Sequence, residues 1–241
     1  MKKLFIAAIA LAACVSANAQ ETYAPEAGEI STEIQFNPFS NDFGTFKLDQ
    51  LKLRYMFSDK DAIRFGIGFG VDNYKVTPDP DENKDNWGKA SSGHFSISLG
   101  YERHFFNYKR IDLYAGAGLG YKYMSASAKE HSEVNGQTFE TKYCNIATID
   151  LDNTNGIART GHEFNVALFT GIDFYVYKGL FVGAEFGIKF ACQSLPGYYT
   201  KGGFDDNGDW SASLESNKTD KESSISLKCF AEPALRIGWT F

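Results

Sequence analysis

Residues 223–241 read SSISLKCFAEPALRIGWTF, and they decide the fold. Every second residue from Ile225 gives Ile225, Leu227, Cys229, Ala231, Pro233, Leu235, Ile237, Trp239 and Phe241, with no charge among them. The alternate register holds Ser226, Lys228, Phe230, Glu232, Ala234, Arg236, Gly238 and Thr240. A side-chain period of two belongs to a β-strand. The run is far longer than the usual strand of about 5–6 residues, and it closes on an aromatic.

The same alternation recurs upstream and predicts eight strands: 29–37, 48–57, 62–74, 92–104, 110–124, 163–176, 179–192 and 223–241. In each, one register is apolar. The other collects Glu33, Lys52, Arg54, Arg64, Asp72, Glu102, Asp112, Lys122, Glu163, Asp173, Glu185, Lys189, Lys228, Glu232 and Arg236. A Lys or Arg facing acyl chains at mid-membrane costs about 2–4 kcal/mol, so this sorting follows if the apolar register meets lipid. The same alternation suits a soluble barrel with an apolar inside, of the lipocalin kind. The glycines decide between them. Gly66, Gly68, Gly70, Gly116, Gly118, Gly120, Gly171, Gly183 and Gly187 share the charged register. On a solvent face they would only weaken strands; inside a narrow barrel they admit bulky neighbours.

The connections alternate as well. Links 58–61, 105–109 and 177–178 are short, 38–47 is modest, and 73–91, 125–162 and 193–222 are long. Short turns at one end and long loops at the other are the pattern of bacterial membrane barrels, whose turns lie in the periplasm. Aromatics gather near both ends of the strands, as two interfaces require. No apolar run reaches the roughly 18 residues of a membrane helix, so a closed barrel is the way such a chain can enter a bilayer.

At the front, Lys2 and Lys3 precede an apolar run, and Ala17-Asn18-Ala19 fits a small-x-small cleavage site. This predicts a leader over 1–19, a short periplasmic segment over 20–28 and a barrel over 29–241. A rival reading makes Leu11-Ala12-Ala13-Cys14 a lipobox with a lipidated Cys14. Cleavage after Ala19 leaves Cys144, Cys192 and Cys229. Cys192 and Cys229 fall on neighbouring strands, so a bridge depends on register; otherwise both are small lipid-facing residues. The net charge of −6 argues against a nucleic-acid partner.

The strand and loop rhythm, the leader ending Ala17-Asn18-Ala19 and the close Leu235-Arg236-Ile237-Gly238-Trp239-Thr240-Phe241 resemble the small outer-membrane β-barrels of the OmpA/OmpX-like kind, and the Bacteroidetes proteins with an outer membrane protein beta-barrel domain. The resemblance covers about 29–241. It implies an all-β, eight-stranded, antiparallel up-and-down transmembrane barrel with outer-membrane lipid around it. It also implies recognition by the barrel-assembly machinery, with Trp239 and Phe241 as the assembly signal, although Gly238 stands nearer the end than that signal's usual Gly. A structural role, or surface contact such as adhesion or host-factor binding through the loops, is what the resemblance implies for function.

An eight-stranded barrel is just wide enough for side chains to fill. Glu102, Glu185 and Glu232 are therefore expected to pair with Arg54, Arg64, Lys189 and Arg236 in a closed lumen network, since unpaired buried charge is costly. Such a plug gives no general pore; a narrow solute or ion channel is the competing reading. For catalysis, His94-Phe95-Ser96 resembles the His-x-Ser element of the lipid A deacylases, with Glu102 as a third member. Yet His94 and Ser96 fall on the lumen register, which lipid does not reach. His104, His131 and His162 are scattered across turns and loops without metal-ligand spacing. The acidic stretches 79–85 and 205–209 offer alternate oxygens that suit Ca²⁺ but lack the EF-hand glycine. The sequence gives no reason to expect a metal or other cofactor. Tyr198, Tyr199, Phe204 and Trp210 are candidates for extracellular contact or for packing loop on loop.

Overall fold

The computed structural model describes residues 25–36, 50–76, 86–134, 137–149, 157–177, 179–204, 210–216, 218–230 and 235–241. The expected leader, Cys14, Glu232 and both acidic stretches lie outside the described residues. Twelve strands are present: β1 (Ile30–Phe36), β2 (Gln50–Met56), β3 (Asp61–Val76), β4 (Trp87–Tyr108), β5 (Ile111–Val134), β6 (Gln137–Cys144), β7 (Gly161–Tyr177), β8 (Leu180–Leu195), β9 (Tyr199–Phe204), β10 (Trp210–Glu215), β11 (Glu222–Phe230) and β12 (Leu235–Thr240).

Every ladder is antiparallel, and the hydrogen bonding returns to its start. β1 pairs β2, β2 pairs β3, β3 pairs β4 and β4 pairs β5. β5 then pairs β7, β7 pairs β8, β8 pairs β12, and β12 closes on β1. A sheet closed this way has no open edge, which is how backbone polar groups can all be satisfied away from water. β11 runs on along β8 above β12.

Three strands lie where the sequence suggested loops. β5 forks: Ile111–Met124 pairs β7, whereas Ser127–Val134 pairs β6. β6 pairs β9 and β9 pairs β10, so a small sheet rises from the barrel wall. β4 and β5 also overrun their expected ends by many residues. The physical reason is local. Beyond the apolar belt the outward register is free to be Ser, Lys and Asn, so the period-two signal fades while the ladder continues.

Burial is inverted relative to a water-soluble protein. Arg236 is 0% exposed and Leu119 is 62% exposed. Glu33, Arg54, Arg64, Glu102, Asp112, Asp173 and Glu185 are buried, while Phe65, Ile97, Leu99, Leu168 and Ile188 face outward. The register explains how a narrow interior holds this much bulk. Most inward side chains stand opposite a glycine on the next strand: Lys52 opposite Gly66, Arg64 opposite Gly100 and Glu102 opposite Gly116. Tyr114 and Glu185 flank Gly171. Asp173 and Arg236 flank Gly183, and Glu33 faces Gly238. A Cβ on Gly183 would collide with Asp173 and Arg236, and one on Gly238 with the Phe181 ring.

The ladders also settle the cysteine question. Cys192 stands opposite Ile225, and Cys229 opposite Ile188. An offset of four residues on adjacent strands is roughly 13 Å, well beyond the roughly 7 Å Cα limit of a disulfide. Cys192 is free and exposed on the outer face.

Gly183→Val is expected to cost about 1–3 kcal/mol by overpacking. It should lower the urea midpoint of the detergent-folded protein and deplete the fast-migrating unboiled band. Ala117→Val, at an outward position, should leave both unchanged.

Candidate functional site

The inward charges converge on one cluster. Glu33 arrives from β1, Lys52 and Arg54 from β2, and Arg64 from β3. Glu102 comes from β4, Asp173 from β7, Glu185 from β8 and Arg236 from β12. The Arg54 guanidinium binds Glu102 through Nε and Asp173 Oδ2 through Nη1 at 2.9 Å, with Glu33 Oε2 at 3.6 Å from Nη2. Arg64 Nη1 lies 2.8 Å from Glu185 Oε2 and 3.3 Å from Glu102 Oε2, and its Nη2 lies 3.2 Å from Glu33 Oε1. Arg236 bonds Asp173, and its Nη1 reaches Glu33 Oε2 at 3.1 Å and Glu185 Oε2 at 3.4 Å. Lys52 Nζ sits 3.8 Å from Glu33 and 3.7 Å from Glu185.

Four cations thus meet four carboxylates, and each guanidinium spans more than one strand. Removing a charge from water costs several kcal/mol unless partners surround it; here every one has at least two. Aromatic faces fill the gaps. The Arg64 guanidinium lies 4.4 Å from the Phe169 ring centre, and those of Arg54 and Arg236 lie 5.1 and 5.2 Å from that of Tyr114. Tyr114 also donates to Glu185 Oε2 at 3.1 Å. Below the cluster His104 Nδ1 is 2.5 Å from Asp112 Oδ2, and its Nε2 is 3.4 Å from Glu102.

The structure brings together Arg54, Arg64, Glu102, Glu185 and Arg236 from the expected network. Lys189 is not among them: its Nζ lies 3.6 Å from Glu163, in a separate and half-exposed pair. Lys189 stands opposite Ala167 higher on β7, so its ammonium is too far up the wall to join. Glu33, Lys52 and Asp173 were on the charged register without being singled out. Tyr114, Phe169, Tyr175 and Phe181 went unnoticed, although strand parity alone places them inward. Having a glycine as cross-strand neighbour would have marked most of these residues.

The catalytic candidate is not assembled. His94, Ser96 and Glu102 lie on one face of β4. Six residues separate Ser96 from Glu102, or roughly 20 Å along the strand, and His94 is further still. Glu102 is held by Arg54 and Arg64. His94 and Ser96 stand opposite Gly70 and Gly68. His104, His131 and His162 are in β4, β5 and β7 rather than in turns or loops. Among the described residues no group of three or more His, Cys, Asp or Glu is placed to hold a metal ion.

Above the barrel the extension has its own core. Ala128, Tyr143 and Ile146 are buried, with Ala90, Ile149, Ile157 and Tyr198 against them. Tyr143 donates to Glu130 at 2.8 Å, and burial together with that carboxylate pushes the phenol pKa up. The Arg159 guanidinium lies 4.9 Å from the Tyr198 ring centre and bonds Glu222. Trp210 meets Phe139 edge-on at 5.8 Å, and Tyr199 lies between Lys201 and Lys218. Tyr198 and Trp210 thus pack within the extension. Phe204 ends β9. At the closing strand, Trp239 and Phe241 both face outward, and the Phe241 N–H donates to the Ile30 carbonyl.

A closed antiparallel circuit with apolar side chains outside and neutralised charge inside defines an outer-membrane β-barrel. The chain belongs to the putative OmpA-OmpF-like porin family, whose model matches residues 40–241, and its place is the bacterial outer membrane. No curated protein matches it in sequence. Among solved structures it is similar to Ail, the attachment invasion locus protein of Yersinia pestis, at 15% identity over 89% of this chain and 99% of that one, with a TM-score of 0.34. Ail in complex with the heparin analogue sucrose octasulfate gives the same identity and a TM-score of 0.35. A major outer membrane protein from Thermus thermophilus is 14% identical over 88% of this chain and 98% of that one, with a TM-score of 0.41.

Arg54→Met should destabilise the folded barrel by about 3–5 kcal/mol, because Glu102 and Asp173 lose their counter-ion while still buried. Arg54→Met combined with Glu102→Gln should cost less than Arg54→Met alone. Urea unfolding in detergent, followed by tryptophan fluorescence, measures both.

Proposed function

We propose that this chain is an eight-stranded transmembrane barrel without enzymatic activity, which anchors a folded extracellular extension for surface contact. β11 and β12, which both pair β8, count as one wall strand, and β6, β9 and β10 stand outside the circuit. The short turns lie in the periplasm and the long connections outside the cell. Trp239 and Phe241 face lipid at the closing strand, where the barrel-assembly machinery would read them. The observation that carries this reading is the ion cluster, in which three guanidiniums and a lysine reach carboxylates on four other strands.

A neutralised plug of this kind blocks a water path and fixes the wall strands to one another. The working surface is then the extension, with its separate core of Ala128, Tyr143 and Ile146. Envelope support and adhesion both suit a rigid platform of this sort, since loops on rigid scaffolds commonly carry binding. The separation of Ser96 from Glu102 along β4 weighs against lipid A hydrolysis.

Purified protein in a planar bilayer should give no stable open conductance, and a steady single-channel step would replace this reading with the channel. Lipid A from cells with and without the gene should have the same mass. Loss of an acyl chain that depends on the gene and on Ser96 would replace it with the deacylase.

A further inference from the structure

Five adjacent strands carry a lysine at the same height. Lys75 on β3 stands opposite Lys89 on β4, and Lys89 opposite Lys129 on β5. Lys129 faces Lys142 on β6, which faces Lys201 on β9. Residues directly opposite in an antiparallel ladder point to one face. With strands about 4.8 Å apart, the row is roughly 19 Å long. Like charges directly opposite one another destabilise a sheet, and here four such pairs follow in succession. Glu140 engages Lys129 at 2.9 Å and Glu215 engages Lys201 at 2.6 Å. Among the described residues no ion pair engages Lys75, Lys89 or Lys142. Three of the five lysines thus stand without a counter-ion among the described residues, which points to an anionic ligand with repeated charge.

The direction of the row narrows the ligand. The alternate register of the same strands carries Ala90, Ala128 and Tyr143, which pack inward on Ile146, Ile149, Ile157 and Tyr198. The lysines are therefore on the outside, in the same parity as the outward Phe69, Phe95 and Tyr123. Each of Lys75, Lys89 and Lys129 lies six residues from one of those aromatics, about 20 Å along the strand. With strands tilted by about 40° that is roughly 15 Å of height. The outward rows between are slender and mostly polar: Val71, Gly93 and Ser125, then Asn73, Ser91 and Ser127. They leave lateral room and hydroxyl groups for sugars. The chain as a whole is acidic, with a net charge of −6, and the links that follow β3 and β9 in sequence hold Asp79, Asp81, Glu82, Asp85, Asp205, Asp206 and Asp209. That balance disfavours a polyanion arriving from the medium, whereas an anionic layer standing beside the barrel meets the lysines directly.

We propose that the outward row Lys75, Lys89, Lys129, Lys142 and Lys201 is a docking surface for the phosphate-bearing sugar headgroups of the outer leaflet. This rests on the reading that the outward register faces lipid. Lys89 and Lys142 lead the contact, being exposed and without an ion-pair partner among the described residues; Lys75 flanks them, 5.9 Å from the Trp87 ring centre.

The test uses the full chain folded in detergent and three probes: lipopolysaccharide, the same lipopolysaccharide stripped of phosphate, and heparin as a soluble polyanion. The triple variant K75Q/K89Q/K142Q should bind phosphorylated lipopolysaccharide about 10-fold more weakly, and K89Q or K142Q alone about 2–4-fold more weakly, as exposed ion pairs predict. Added salt should weaken wild-type binding more than that of the triple variant. Unchanged affinity in the triple variant, equal binding of the stripped lipid, or tighter binding of heparin than of lipopolysaccharide would each overturn the proposal. Gel migration before and after boiling is read on the same samples. A wild-type chain that shows no shift would overturn the barrel reading itself, and a triple variant that shifts normally keeps the comparison valid. Should the triple variant fail to shift, the single variants decide.

Discussion

The buried guanidinium–carboxylate cluster is the constraint to which the rest of the chain answers. Placing this much charge away from water is tolerable only when each group is surrounded by partners of the opposite sign, and such partners have to come from different strands. Glu33 on β1 touches groups from β2, β3 and β12. Asp173 on β7 touches groups from β2 and β12. These bonds cross the barrel as well as run round it. The wall is thus tied across its diameter, and the circuit of backbone ladders is not the sole device holding it closed.

That constraint explains the glycines. A narrow cylinder cannot hold three arginines, four carboxylates and four inward aromatics unless the wall recedes opposite them. The recession is local and pairwise: one large inward group, one glycine beside it on the next strand. Gly171 sits between Tyr114 and Glu185, and Gly183 between Asp173 and Arg236. The outward face has no such requirement, and there the side chains are Leu, Ile, Phe and Tyr, sized for contact with acyl chains rather than for mutual fit.

Much of this was legible in the sequence, and the limits are physical. Period-two alternation placed the wall strands and their parity, because lipid outside and charge inside keep the two registers apart. It also put Arg54, Arg64, Glu102, Glu185 and Arg236 on one face. What alternation cannot give is height along the cylinder. Lys189 shares the parity of Glu185 but stands too far up the wall, beside Glu163, and Ser96 shares the parity of Glu102 yet is far above it. Height follows from strand stagger, which depends on pairings between distant residues. The strands of the upper sheet escaped for a different reason. In QTFETKYC and WSASLE neither face is consistently apolar, since both face water or a small loop core, so the pattern that marks a strand in lipid is missing.

The fork in β5 has a practical consequence. Residues 111–124 belong to the wall and residues 127–134 to the small upper sheet, so a single rigid strand sets the orientation of one against the other. β10 forms the far margin of that upper sheet, three strands removed from β5. A foreign peptide grafted at that margin would be carried clear of the barrel wall, with its attachment point isolated from the ionic interior. The molecule is in that sense a ready-made display stand, whose outer margin can carry a graft while the post beneath it stays intact.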